Sequence, residues 1–468
     1  MQSISTLRRL ASIISDSVAT MERVYASSNV PLPSLDEPFN PHDPAEALRQ
    51  EPEVSNAVKN LMAAAAQIST TVCDPMRLAV NTSRAFHLSS CLLVTSNLNI
   101  AEILREAGPK GATAEDIAAQ SRVNPDLIAR ILRLLATHHI FREVSPGVFA
   151  NNRVSSTLDK GKSLSVLNSN QADRFIGSSG IAALVEQAAD IGGKSGVYLA
   201  DSALNADGVI PFKLAYRTEE DFFTWLHQAE NSYNATRFGV AMQGTAETEP
   251  SDLIFQGFDW GLLPQNGTIV DVGGGIGHVS LTIAWKYPHL RVVMQDLARS
   301  IELSKGYWRD NFPEHISKQM VKFQVHDFFS PQPVKDAAVF LLRYVLHNWS
   351  DDQAKVILRH LRVAALPTTR LVILEKIVPF ASVEDLEASR TKDISGAFRP
   401  SAEYPLLPNW GPATADLYLY DLTMHVLFGG VERTLEGFWD LLEPSGWKLV
   451  EVHHCAGSQL SHLVAIPV

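Results

Sequence analysis

Residues 269–297, IVDVGGGIGHVSLTIAWKYPHLRVVMQDL, decide the fold. Two apolar runs rich in β-branched residues enclose a glycine turn and a helical stretch, so the segment reads strand, turn, helix, strand. Asp271 closes the first strand, Gly273-Gly274-Gly275 turns the chain, Gly277 opens the helix, and Asp296 closes the second strand. Glycines at such a turn allow positive φ and let a ligand approach the main chain closely. A dinucleotide fingerprint, G-x-G-x-x-G/A, needs a small residue where this chain has His278. A phosphate loop needs Lys followed by Ser or Thr after the last glycine, and Val279 and Ser280 follow His278 instead. What remains is an acidic-x-G-x-G-x-G loop, Asp271 through Gly277, suited to a ligand without phosphates.

Working outward, further short apolar runs alternate with helical stretches: VKFQV, AAVFLLR, RLVILEK, WKLVEVHH and HLVAIPV. Together with the first two they predict an α/β domain whose seven-stranded, mostly parallel sheet is covered by helices on both faces. Ligands of such sheets bind beyond the carboxyl ends of the strands. Asp296 stands where a carboxylate can accept both ribose hydroxyls, with the adjoining Leu297 in the same site. The third strand ends in HDFF, which puts Asp327 beside the apolar ring of Phe328, as an adenine pocket requires. Loop, ribose carboxylate and adenine pocket on three successive strand ends point to S-adenosylmethionine.

The fourth strand runs into LRYVLHNWSDD. His347 falls just past its end, on a loop facing the cofactor, positioned for proton transfer. Ser350 caps a helix that begins with two aspartates, as the helix dipole favours.

Upstream the texture is helical. MQSISTLRRLASIISDSVATMERVYASS predicts an amphipathic helix, because Asp16 and Glu22 interrupt any continuous apolar core that a secretion signal would need. A proline-rich linker follows at residues 27–44. In residues 111–155, Thr113 caps a short helix and Asn124-Pro125 opens a second with apolar Leu127, Ile128, Ile131, Leu132 and Leu135. IFREV and VFANN then pair around SPG, giving a winged-helix order. The expected division is 1–53 (helix and linker), 54–240 (helical, winged-helix-like, for dimerisation and substrate gating) and 241–468 (cofactor-binding and catalytic). Residues 380–415 break the rhythm with a long polar, proline-containing insert of the kind that forms lids or disordered loops.

The composition of the 468 residues is ordinary for a globular protein, 46% apolar and 19% charged. A net charge of −11 argues against a nucleic-acid binder, and Arg130 and Arg133 offer little on the second helix of the wing. No apolar run reaches membrane-spanning length. Cys73, Cys91 and Cys455 show no ligand-like spacing and read as reduced, buried thiols of a cytoplasmic protein; no metal site is expected.

On these motifs the chain resembles the plant and fungal small-molecule O-methyltransferases, over roughly residues 54–468. The resemblance implies a winged-helix-like dimerisation domain, hence a homodimer, ahead of a class I (Rossmann-like) methyltransferase fold. LHNWSDD is similar to the family's His-Asp-Trp-Ser motif, which makes His347 the general base that takes a proton from a phenolic or enolic hydroxyl. Glu375 of ILEKIVP and Glu432 of GVERTLEGF match the two carboxylates flanking that histidine. Gly273, Asp296, Asp327 and Phe328 match cofactor positions, and Arg343 stands where the family often has lysine. Asn348 replaces the usual aspartate. The substrate is expected to be a small aromatic or polyketide-derived metabolite in an apolar pocket drawn from Trp225, Asn234, Phe238 and Met242, with Tyr420, Met424 and Phe428. Two rival readings keep the sequence but not the reaction. Some fungal relatives act as pericyclases or dehydratases, for which Arg343 and His347 would serve as electrophilic donors. A non-enzymatic regulator using the wing is disfavoured by the negative charge.

Overall fold

Thr113 ends a two-residue strand, β1 (Ala112–Thr113), and caps the next helix. Its hydroxyl accepts from the Asp116 amide at 3.1 Å while the Asp116 carboxylate reaches back to the Thr113 amide. Asn124 caps the following helix, Pro125–Thr137, from the Asp126 amide at 2.8 Å. Hairpin strands β2 (Arg142–Ser145) and β3 (Val148–Ala150) complete a three-stranded sheet in the order β1-β3-β2, so the helix-helix-hairpin expectation holds. Ile128, Ile131, Leu132 and Leu135 are buried; Leu127, 45% exposed, stays outside because it lies a full step around the helix from that stripe.

The computed structural model describes residues 2–205, 208–247, 249–383 and 389–468. They form two compact units, Met1–Glu249 and Pro250–Val468. In the first, the amphipathic helix Gln2–Ser27 packs on the helix Pro52–Val72, with Tyr25, Ala45 and Val54 buried between them. A charge network lies under the later helices of this unit. Glu186 accepts from Arg237 at 2.8 Å, Tyr233 at 2.7 Å and Ser96 at 2.7 Å, and it pairs with Arg174. Both guanidiniums and the carboxylate are buried, so each depends on the others for its hydrogen bonds.

The second unit is built on one seven-stranded sheet. Its strands are β4 (Thr268–Val272), β5 (Arg291–Asp296), β6 (Val321–Val325), β7 (Ala337–Arg343), β8 (Arg370–Lys376), β9 (Trp447–His454) and β10 (Leu460–Pro467). The order is β6-β5-β4-β7-β8-β10-β9, parallel except for β10 against β8 and β9. All seven runs read from the sequence are strands of this sheet. Val339, Phe340, Leu341 and Leu342 of β7 and Leu371 to Leu374 of β8 are fully buried, as central parallel strands covered on both faces must be. Ile357, Leu361, Phe438 and Trp447 contribute to one apolar cluster, and Ile254, Trp260, Ile283 and Leu290 to the other. Strand order reverses at β4, whose neighbours β5 and β7 lead in opposite directions. That opens the crevice at its carboxyl end.

The insert of 380–415 is pinned where it is described; residues 384–388 lie outside the described residues. Ile394 enters the core, Ser395 accepts from the Val452 amide at 2.8 Å, and Arg390 grips Asp440 with two contacts of 2.6 and 2.9 Å. Gly396 is the tightest point: φ is +73°, and a Cβ there would sit 1.9 Å from the Val452 carbonyl oxygen. Gly396→Ala should therefore lower stability by about 1–3 kcal/mol. Limited proteolysis should show faster cleavage within 389–415 than in the parent, and an unchanged digestion rate would contradict the pinning.

Candidate active site

The glycine loop is shaped by what it must pass. Gly277 has φ +82°, and a Cβ there would lie 2.5 Å from Trp308 Nε1 and 2.8 Å from Met294 Cε, so the backbone presses onto the side chains beneath. A Cβ on Gly273 would meet Val345 at 3.2 Å and Phe328 at 3.4 Å, whereas one on Gly275 would meet nothing within 4 Å. The loop is thus closed beneath and open above Gly275. Asp296 braces it, accepting from the Gly275 amide at 2.9 Å and the Leu297 amide at 2.7 Å. Each oxygen keeps a lone pair for a further donor, such as a ribose hydroxyl.

Asp271 is buried beneath the turn, accepts from the Ser280 hydroxyl, and leaves no room for a side chain on Gly274. Burial pushes its carboxyl up to about 6; the Ser280 hydrogen bond opposes the rise and the Asp296 charge adds to it. Asp327 accepts from the Phe329 amide at 2.9 Å, and Phe328 packs edge-on against Trp349 beside Gly273. The ends of β4, β5 and β6 thus bring Gly273, Gly275, Asp296 and Phe328 around one crevice. That donor set and open loop fit S-adenosylmethionine.

Arg343, at the end of β7, donates from Nη1 to His278 Nε2 at 2.7 Å and lies over the Tyr344 ring at 5.3 Å. Tyr344 then takes φ 54°, a conformation rare outside glycine, and the chain swings into the short turn Leu346–Asn348. His347 is buried there, with Nδ1 2.7 Å from Glu432 Oε1. A carboxylate only accepts, so Nδ1 is the donor, and Nε2 is the ring nitrogen that Glu432 leaves for another partner. The imidazole lies parallel to the Tyr420 ring at 6.4 Å, and Lys376 Nζ sits 3.4 Å from that ring's centroid.

The two glutamates matched by resemblance do different things. Glu432 reaches the imidazole. Glu375 instead turns one oxygen to the backbone of the loop, accepting the amides of Val345, Leu346 and His347 at 3.1, 2.6 and 3.2 Å. Burial holds the Glu375 carboxyl above the usual carboxylate range; His347 opposes that rise and Glu432 adds to it. The neighbouring Arg433, for which the sequence carries no signal, clamps the same turn. It donates to the Leu346 carbonyl at 3.0 Å and the Trp349 carbonyl at 2.9 Å, and it pairs with Asp351 at 2.9 Å. The Val431 amide donates to the His347 carbonyl at 2.9 Å, and Gly430 permits this approach, because a Cβ there would fall 2.1 Å from that oxygen. Asn348 donates to the Tyr344 carbonyl at 3.2 Å, and Ser350 caps its helix in a box with Gln353.

Of the proposed pocket residues, Tyr420, Met424 and Phe428 share the helix Ala415–Phe428 of the second unit, with Met424 buried. In the first unit, Trp225 is buried among Phe212, Tyr216 and Phe222, and Phe238 packs on Phe222 and Phe223. Asn234 accepts from Arg237 at 3.2 Å, and Met242 is 37% exposed. Cys455 is buried, whereas Cys73 and Cys91 are only half-buried; none of the three forms a disulfide among the described residues.

A class I methyltransferase fold with a cofactor crevice at its switch point is what these elements define. The O-methyltransferase domain profile matches residues 197–400 and the O-methyltransferase dimerisation domain profile matches residues 80–161. An O-methyltransferase of Armillaria gallica is 36% identical over 99% of this chain and 100% of its own length. The 4-O-methyltransferase 1 of Phanerochaete chrysosporium is 36% identical over 99% of both chains. The sterigmatocystin 8-O-methyltransferase of Aspergillus parasiticus is 31% identical over 68% of this chain and 70% of its own. The chain belongs to the S-adenosylmethionine-dependent O-methyltransferase family and is an enzyme of that family. Among solved structures, the mitomycin 7-O-methyltransferase MmcR superposes with a TM-score of 0.63 at 22% identity, covering 84% of this chain and 98% of that one. LepI in complex with SAM gives 0.65 at 19% identity, covering 90% and 97%. No helix of the described residues is long and apolar enough to cross a membrane.

The raised Asp271 carboxyl makes stability depend on pH. Its value of about 6 lies above the ordinary 3.8, so the folded chain holds a proton that the unfolded chain releases. The stabilisation is complete below the ordinary value and is lost as pH rises through about 6. Asp271→Asn removes that loss. The unfolding free energy of the variant should gain on the parent by about 2–3 kcal/mol between pH 4 and pH 7 in urea titrations. A gap that does not change with pH would refute the assignment.

Proposed function

We propose that the enzyme methylates a phenolic or enolic hydroxyl of a small aromatic or polyketide-derived metabolite, with His347 as general base. The observation that carries this reading is the buried His347–Glu432 pair at the edge of the cofactor crevice, in which Glu432 engages Nδ1 and not Nε2. S-adenosylmethionine, when bound, supplies an electrophilic methyl carbon on a sulfonium. A phenol, with a pKa of about 10, is a poor nucleophile at neutral pH until its proton is removed. Nε2 would take that proton, which would leave the oxygen able to accept the methyl group that bound S-adenosylmethionine would supply, with the sulfonium's bonding pair returning to sulfur. Glu432 keeps the ring in the right tautomer and stabilises the imidazolium that results. Glu375 and Arg433 hold the turn on which the ring stands, so the base moves little between states. Gly273, Gly275, Asp296, Leu297, Asp327, Phe328 and Arg343 hold the cofactor, and Tyr420 and Met424 border the acceptor.

The names of the relatives support an aromatic acceptor: one acts at the 8-oxygen of sterigmatocystin. The dimerisation-domain match supports a homodimer, and three cysteines outside any disulfide among the described residues suit the reducing cytoplasm. Light scattering at micromolar concentration should return twice the chain mass.

The decisive assay incubates purified enzyme and S-adenosylmethionine with phenolic and polyketide-derived acceptors and follows product mass. Replacement of one hydrogen by methyl supports transfer. An isomer or a dehydrated product at unchanged methyl count would establish the pericyclase or dehydratase reading instead. His347→Ala should lower kcat by roughly 10²–10⁴-fold and leave affinity for the demethylated cofactor unchanged. Glu432→Gln, which cannot fix the tautomer in the same way, should fall in the same range. Near-parental turnover of His347→Ala would remove the base assignment.

A further inference from the structure

We propose that His278 is a positioning residue for cofactor binding: its Nε2 accepts the Nη1–H of Arg343 and holds that guanidinium with its other donor edge facing the cofactor crevice. The contact is 2.7 Å. An arginine side chain has only donors, so Nε2 of His278 must be the acceptor and the imidazole must be neutral. Its surroundings keep it so, because burial first and the Arg343 charge next push it down to about 4.

Two features fix the imidazole in place. His278 is the first residue of the helix His278–Lys286, and the preceding Gly277 presses its backbone against Trp308 and Met294. The helix start cannot shift without opening that packing. The second feature is in Arg343 itself. Its plane is held by the Tyr344 ring on one side and by His278 at Nη1, yet its Nε is buried without a hydrogen-bond partner among the described residues. A buried guanidinium donor left unsatisfied is a costly arrangement that a ligand acceptor would relieve. The Nη1 contact to His278, which directly follows Gly277, places the guanidinium beside the glycine loop. His278 occupies the position at which a dinucleotide loop requires a small residue. In this chain that position carries a side chain that braces Arg343 at the end of β7, the strand paired with β4.

The inference rests on the reading that Arg343 belongs to the cofactor site, and the test separates the two. Affinity for S-adenosylhomocysteine is measured by calorimetry, with thermal unfolding of each unliganded variant alongside. Arg343→Ala should weaken binding roughly 10-fold or more. His278→Ala should weaken it about 5–10-fold with an unfolding midpoint close to the parent, because the Arg343 donor edge loses its aim rather than its charge. His278→Gln, which offers an amide oxygen from the same backbone position, should return most of that loss. The double variant should bind no more weakly than Arg343→Ala alone, as coupled residues do. In turnover, the His278→Ala defect should appear in KM for S-adenosylmethionine more than in kcat. If Arg343→Ala binds like the parent, its place in the cofactor site is wrong and the inference falls with it. If Arg343→Ala is impaired and His278→Ala is not, or if their losses simply add, the positioning role alone is overturned. Should His278→Ala fail to fold, an impaired His278→Gln beside a well-folded, equally impaired Arg343→Ala would count against the proposal, and a near-parental His278→Gln would support it.

Discussion

A single carboxylate oxygen, Glu375 Oε1, collects three consecutive backbone amides at the end of β7, and the placement of the imidazole follows from it. A chain that leaves a parallel strand and turns within three residues exposes amides with no ladder partner. Buried, each would be costly to leave unpaired. Glu375 answers all three from the adjacent strand. The carbonyls of the same turn are answered from elsewhere, by Arg433 at Leu346 and Trp349 and by the Val431 amide at His347. Successive residues of an extended segment point opposite ways, so Glu432 meets the imidazole while Arg433 meets the backbone beneath it. One short segment, 430–433, therefore closes the turn and orients the ring.

The cofactor side uses the same economy with different residues. Asp296 was read as a ribose acceptor, and it is also the brace of the loop, holding Gly275 and Leu297 with one oxygen each. The glycines answer distinct demands: Gly277 must pass over Trp308 and Met294, Gly274 over the Asp271 carboxylate, and Gly275 faces open space. A loop so constrained from below is preorganised above, where a ligand without phosphates can lie against bare backbone.

Much of this was legible in the sequence because its signals are local. The seven strands announce themselves as short β-branched runs, and the caps at Thr113, Asn124 and Ser350 by residue type and position. The candidate residues at the ends of β4, β5 and β6 could be placed because a parallel sheet puts successive strand ends along one edge. What could not be read are pairings between residues distant in the chain. Arg433 meets Leu346 across 87 positions, Arg343 meets His278 across 65, and Ser395 joins Val452. None has a periodicity or a motif. The insert of 380–415 looked structureless for the same reason. Its polar, proline-bearing composition hides that Ile394 and Leu406 are buried and that Gly396 is needed for backbone to touch backbone.

Resemblance assigned two glutamates one task, flanking the histidine, and the geometry divides it. A carboxylate's influence on an imidazole falls with distance and is diluted by whatever else it must satisfy. Glu432 Oε1 lies 2.7 Å from Nδ1, so its charge acts where the cation would form. The Glu375 oxygen near the turn already takes three amide protons, so its charge serves mainly to hold the peptide groups that carry the ring. Both are buried, and burial together with the nearby Glu432 charge raises the Glu375 carboxyl. His347 and the Arg433 guanidinium oppose that rise. The electrostatic state of the turn is therefore a property of the whole set.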